Sequence, residues 1–429
     1  MTISKNTSNV ALLTVISTFI LAASLVLRYD FSKLGFQLLE KRDIFNNEFK
    51  IEHAVGVEAV SLIFIMINSF LSMLCVFSLR DKNKEKHKEY IVSILLATAI
   101  GNGMFSSLNI MLFNVFFFIL PIPFIFISRI NMEEEDNTKE KWPVLNLLLS
   151  SFLFLTAVVC YLFNKETGDC NINRLTFILI AASLFLRLGF VPNHFWLAGF
   201  LRKLEAPVAS FFLTCQIMSF VYVVLHFVMP LLPKVCVEYG NIIVIMASIT
   251  TVYCSICVVL ERNTFRFLSY LFGIYLGIVT IGLFSFDALL MASVIFIFIA
   301  FCFPLMMLQF EFEEILDNEK SILDVLKFLI LPVIIVFPPF AVFSGFIIMI
   351  SELMKKDIVF MIIAVVAIFF SSISVLAKNR NIANSKIGYK KDYLTFLSLI
   401  AATIILAVFQ TKIFAVIFSF ANQVIAELG

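Results

Sequence analysis

Long apolar runs, separated by short polar stretches, recur from one end of the chain to the other. Most are about 20 residues long, the length that carries an α-helix across the hydrocarbon core of a bilayer. Taken in order, the runs at 9–28, 55–79, 89–107, 109–129, 143–164, 174–201, 206–229, 241–260, 264–284, 287–309, 324–352, 357–377 and 393–419 predict about thirteen membrane helices. Two of them are long and interrupted by proline, at Pro192 and at Pro338-Pro339, and are expected to be discontinuous. Broken helices at corresponding places suggest inverted repeats, centred near 89–229 and 241–377. The fold expected is an all-α polytopic membrane protein: an amino-terminal helix and polar loop over 1–54, a transmembrane core over 55–420 and a short tail over 421–429. The 29–54 loop is the largest polar segment, with room for a short interfacial helix.

Composition agrees with the pattern and excludes a soluble globular chain: 61% of the 429 residues are hydrophobic and 14% are charged. The net charge of +2 says little, because the placement of Lys and Arg is what sets orientation. Basic residues cluster in Arg80–Glu89, at Arg202-Lys203, at Arg262 and Arg266, and over Lys378–Lys391. With the helices counted as above, all four clusters share one side with the amino terminus, which makes that side cytoplasmic or matrix. The first run, Val10 to Leu27, is too long for the apolar part of a cleavable signal and lacks a small-residue cleavage pattern. Fifty-one Phe residues, with many Ile, Lys and Asn, are the bias expected of an AT-rich genome, of which an organelle genome is one source.

The stretch Leu186–Ser210, LRLGFVPNHFWLAGFLRKLEAPVAS, concentrates the candidate chemistry. Arg187 lies deep in an apolar run, where a charge costs about 2.5–3.5 kcal/mol on insertion scales. Pro192 breaks the helix and His194 and Trp196 follow, so a charge, a break and an imidazole lie close together, as in ion pathways. The plain alternative is a kinked helix whose arginine reaches an interface along its stem. The buried charge needs a partner, and the intramembrane acids available are Glu58, Asp287 and Glu352, with Glu58 the first choice. The eight cysteines, Cys254 and Cys257 included, read as small apolar residues rather than as a metal or redox set. No phosphate-binding glycine loop, cluster-binding cysteine quartet or flavin motif is present, so no metal or cofactor is expected in this chain.

The run RLGFVPNHFWL followed by EAPVASFFL resembles the central motif of the antiporter-like subunits of respiratory complex I and of multisubunit sodium/proton antiporters. VGVEAVSLIFIMINSFLSML, NTFRFLSYLFGIYLG (with Arg266, Tyr270 and Gly277), ALLMASVIF and FPPFAVFSGF resemble further family segments in family order. Among the paralogues the chain looks most like NADH dehydrogenase subunit 4, with subunit 2 next. The resemblance implies a membrane-arm subunit that takes part in proton translocation. NADH, FMN, iron–sulfur clusters and ubiquinone would lie elsewhere in the complex, neighbouring antiporter-like subunits and lipids would be its partners, and nucleic acid would not. It also implies a mitochondrial inner-membrane location with the amino terminus in the matrix, and motif roles for Trp196 and Pro207.

The departures from the family pattern fall on its polar positions. Phe118 stands where the family has a glutamate, and Arg187 where it has the central lysine. The window Gln216–Phe220, where a second lysine is expected, holds no basic residue, and Gln216 is its most polar member. Val294 replaces a histidine and Phe346 an acid or lysine, which leaves His194 as the surviving residue that readily exchanges protons. Arginine stays charged under ordinary conditions, so Arg187 can anchor water or a carboxylate but is a poor relay. Three readings stay open: a proton-moving complex I subunit, a subunit of a free-standing cation/proton antiporter, and a structural complex I subunit whose own pathway has decayed.

Overall fold

The structure, a computed structural model, describes residues 2–31, 33, 35–43, 52–79, 87–130, 141–313, 341–383 and 393–428. The described residues are almost all helical. Ten helices among the described residues are long and apolar enough to cross a membrane; Ala288–Phe303 and Leu397–Val408 are shorter apolar stretches. The difference from thirteen has local causes. The helix His87–Phe105 begins with polar residues that dilute its apolar length, and the expected span 324–352 falls largely outside the described residues. Pro338 and Pro339 also lie outside them, as does most of the basic segment near Lys390.

The chain divides into two compact units: Met1–Leu188 with Phe211–Cys236, and Gly189–Ser210 with Val237–Glu427. In the first unit, α1 (Thr2–Arg28), α2 (Ala59–Leu79) and α3 (His87–Phe105) pack together. Then come α4 (Ile110–Ile119), α5 (Pro121–Ile130), α6 (Lys141–Thr167) and α7 (Cys170–Leu188), with α6 and α7 forming the most extensive helix pair. The unit is completed by most of α9 (Ala206–Val223), a π-helical turn (Val224–Val228) and α10 (Met229–Leu231). In the central span Pro207–Leu231 the most apolar 18-residue stretch is fully buried.

The second unit holds α8 (Phe195–Leu201), α11 (Pro233–Leu260), α12 (Thr264–Leu283), α13 (Ala288–Glu313), α14 (Ala341–Lys356), α15 (Ile358–Ala383), α16 (Tyr393–Val408) and α17 (Gln410–Leu428). α13 packs against α12, α14 and α16. Close approach is built with glycine: a methyl on Gly277 would collide with Oγ1 of Thr251 and stand 2.9 Å from the Ala247 carbonyl.

The 29–54 loop holds strands where an interfacial helix was expected. β1 (Gln37–Asp43) pairs antiparallel with β2 (Glu52–Val57), Glu40 opposite Val55 and Asp43 opposite Glu52. The far edge of β2 is paired too, because Gly56 N–H donates to the Ser106 carbonyl and Leu108 N–H to the Ala54 carbonyl. A lone helix at this place would leave the 106–108 backbone unsatisfied, and the hairpin pairs it.

Candidate functional site

The break expected at Pro192 opens three residues earlier, where Gly189 takes a left-handed conformation (φ +74°) and ends α7. Pro192 then prevents the helix from resuming, and α8 starts only at Phe195. The carbonyl of Leu186, released by the break, accepts from Nδ2 of Asn146 at 2.9 Å. Ser183 Oγ donates to the Ser150 carbonyl at 2.7 Å, so two bonds clamp the end of α7 to α6.

Arg187, one residue from the end of α7, is 1% exposed. Its Nε donates to Oε1 of Gln216 at 2.6 Å, and its Nη1 to the Phe117 carbonyl at 2.9 Å and to Ser151 Oγ at 3.4 Å. The guanidinium carbon stands 3.7 Å from the centroid of the Phe117 ring. The Phe117 carbonyl is available for a sequence reason. In a continuous helix it would accept from the N–H four residues on, and that residue is Pro121, which has none. The 109–129 run is accordingly interrupted at Leu120, between α4 and α5.

The expected ion pair between Arg187 and Glu58 is not formed, nor does the arginine use a carbonyl freed by Pro192. The carboxylate of Glu58 is engaged elsewhere: its Oε2 lies 3.0 Å from Nε2 of His226, with side chains 6% and 3% exposed. Arg187 is held by neutral oxygens and an aromatic face, a mode open to a planar, weakly hydrated cation. Among the described residues, its Nη2 and the Nε2 of Gln216 are buried with no hydrogen-bond partner.

The other two acids are not intramembrane partners either. Asp287 accepts from the N–H groups of Leu289 and Leu290 at the start of α13, and its Oδ2 lies 3.7 Å from Nζ of Lys356. Glu352 pairs one turn along α14 with Lys355, at 2.6 Å. Arg266 is largely exposed and lies 3.9 Å from Glu261. In the second unit His194 is buried among Phe195, Tyr253 and Tyr270, with ring centroids at 3.9, 4.8 and 5.9 Å. Trp196 is buried in α8 near Gly189, and the Pro207 carbonyl accepts from Ser210 at the start of α9.

The apolar replacements are packed. Phe118 stands edge-on to Phe152, Val294 fills the space left by Gly282, and Phe346 is buried 6.2 Å from the Tyr275 ring. Of the cysteines, Cys75, Cys215, Cys236, Cys254 and Cys302 are buried.

Sequence reasoning missed His226 and the Phe117 carbonyl, although each left a signal. Leu120-Pro121-Ile122-Pro123 interrupts an apolar run, and Gln216, Ser219, Tyr222 and His226 recur at helical spacing.

Bilayer-length helices, one of them broken beside a buried cation, together define a polytopic helical membrane protein. In sequence the chain is similar to proteins named as subunits of NADH-quinone and NADH-ubiquinone oxidoreductases. It is 25% identical over 297 residues to NADH-quinone oxidoreductase subunit M of Rickettsia bellii (66% of this chain, 59% of that protein). It is 28% identical over 281 residues to NADH-ubiquinone oxidoreductase chain 4 of Arabidopsis thaliana (62% and 56%). The matched stretch thus spans less than two thirds of the length of either relative. No family model matches. Among solved structures, the fold is that of a chain in respiratory complex I from Thermus thermophilus with bound NADH (TM-score 0.84, 15% identity, 98% of this chain and 95% of that one). It is also similar to a chain of the Mrp complex from Dietzia sp. (TM-score 0.77, 13% identity, 97% and 51%).

Proposed function

We propose that this chain is a membrane-arm subunit of NADH:ubiquinone oxidoreductase, complex I, and that it contributes to proton translocation driven by quinone reduction elsewhere in the assembly. The observation that carries the reading is Arg187: a buried cation at the end of a broken helix, at the place where the family resemblance puts a lysine. A permanent charge there does not relay protons itself. It holds polar groups and sets the field in which nearby sites gain and lose protons. NADH, FMN, the iron–sulfur clusters and ubiquinone belong to other subunits in this reading, and the chain's partners are neighbouring antiporter-like subunits and lipids. The location is the mitochondrial inner membrane, with the amino terminus and the basic turns on the matrix side.

A second reading, a subunit of a cation/proton antiporter, is supported by the likeness to the Mrp chain. A third, a structural subunit without its own pathway, is supported by the apolar packing of Phe118, Val294 and Phe346. Isolation of the tagged chain from mildly solubilised membranes tests the first. NADH-oxidising activity, flavin and iron–sulfur clusters are expected to travel with it. A particle that contains the chain but oxidises no NADH contradicts it.

A further inference from the structure

We infer that Glu58 and His226 form a proton-exchange site at one end of a polar stripe on α9, whose other end is Arg187; this deepens the proton-translocating role proposed above and rests on it. The stripe is Gln216, Ser219, Tyr222 and His226, spaced so that all four lie on one helix face and buried among apolar neighbours. Gln216 holds Arg187 (2.6 Å), the Ser219 hydroxyl donates to the Gln216 carbonyl (2.7 Å), and the Tyr222 hydroxyl donates to the Ser107 carbonyl (2.8 Å). The Tyr222 ring stacks on His226, with centroids 4.1 Å apart. Ten residues of helix separate the two ends, about 15 Å at 1.5 Å per residue.

Three features suit the pair to proton exchange. An acid and an imidazole in contact hold their proton as a unit, so the charge cost of burial is low whichever partner carries it. His226 sits in a π-helical turn, an irregularity frequent at functional sites, and that turn brings its Nε2 to Glu58. Glu58 immediately precedes α2, a helix of 21 residues that spans about 30 Å, so the pair lies at the end of a membrane span rather than at its middle. The helix N-terminus also favours the carboxylate. Tyr29, beyond α1, and Tyr222 also interact electrostatically with Glu58, and Phe36, just before β1, approaches His226 edge-on. With the basic turns on the matrix side, the pair faces the opposite side, where protons are delivered.

The step conserves protons and involves no electrons. One proton leaves the pair, which leaves the Glu58 carboxylate 3.0 Å from Nε2 of a neutral imidazole. One proton taken up by the pair restores it.

Infrared difference spectroscopy across a pH titration of the purified, assembled particle tests this. A protonated-carboxyl band is expected in the wild type, absent in Glu58→Gln and displaced by about one pH unit or more in His226→Gln, as in strongly coupled sites. Unchanged spectra in Glu58→Gln, or an unmoved midpoint in His226→Gln, would overturn the proposal. The thermal midpoint of each variant, read in parallel, identifies a folding defect, and Tyr222→Phe then serves as the second variant: it keeps the ring stack and should shift the same midpoint. An unmoved midpoint there would also overturn the proposal. The titration gives its answer whether or not the particle oxidises NADH, so failure of this site and failure of the complex I reading are told apart. In a particle that does oxidise NADH, Glu58→Gln should pump fewer protons per NADH; a full count would overturn the pathway.

Discussion

The bond between Arg187 and Gln216 gives the sharpest test of how a lone buried cation is held here. Gln216→Leu removes the Oε1 that accepts from Nε at 2.6 Å. A hydrogen bond to a charged group contributes about 1.5–3 kcal/mol, so the substitution should destabilise the fold by about that amount. Unfolding entropy of about 2.1 cal/mol/K per residue gives about 0.9 kcal/mol/K for 429 residues, hence a fall in midpoint of about 2–3 °C. The chain supplies its own assay, because Cys75, Cys215, Cys236, Cys254 and Cys302 are buried and become reactive to a thiol-sensitive dye only on unfolding. Leucine also changes packing, so the decisive quantity is the coupling in a double-mutant cycle with Arg187→Met. If the bond is as described, Gln216→Leu should cost about 1.5–3 kcal/mol less when the guanidinium is already gone. Effects that add to within about 0.5 kcal/mol would refute the bond.

Other outcomes follow from single residues. Gly189→Ala should cost about 1–2 kcal/mol from its left-handed backbone alone, because the added methyl would meet no atom closer than 3.5 Å; a thermal midpoint equal to wild type would contradict this. Gly277→Ala should cost about 1–3 kcal/mol, since the Ala247 carbonyl stands in the way and cannot rotate aside; normal stability would show that α11 and α12 separate freely. Asn146→Leu leaves the Leu186 carbonyl without its 2.9 Å donor and should cost about 1–3 kcal/mol, read in the same thiol assay. Orientation is checked with the native exposed Cys170: an impermeant thiol reagent should reach it from the intermembrane side, and labelling only from the matrix would reverse the proposed topology.

What could be read from the sequence was the bilayer scale of the fold and the break after Arg187, because apolar length, glycine and proline act through the backbone within a few residues. Burial of Arg187 was equally legible, since the arginine lay too far inside its run to reach water. Its partners were not. A buried cation calls for an opposite charge, while the chain supplies a carbonyl freed by Pro121, a glutamine and a phenylalanine ring. Glu58, the first choice among the acids, meets His226 instead, far along the chain on a π-turn whose register no sequence period encodes. The hairpin was hidden for a related reason: β1, QLLEKRD, is charged and poorly alternating, and the 106–108 backbone completes the pairing of β2.

The most direct test of the account is the number of protons pumped per NADH oxidised by the assembled particle carrying Arg187→Met. With the buried charge removed, the site at one end of the α9 stripe loses its field and its hold on Gln216 and Phe117, and the account predicts fewer protons per NADH than in the wild type. A particle that assembles normally and pumps the full count would contradict it.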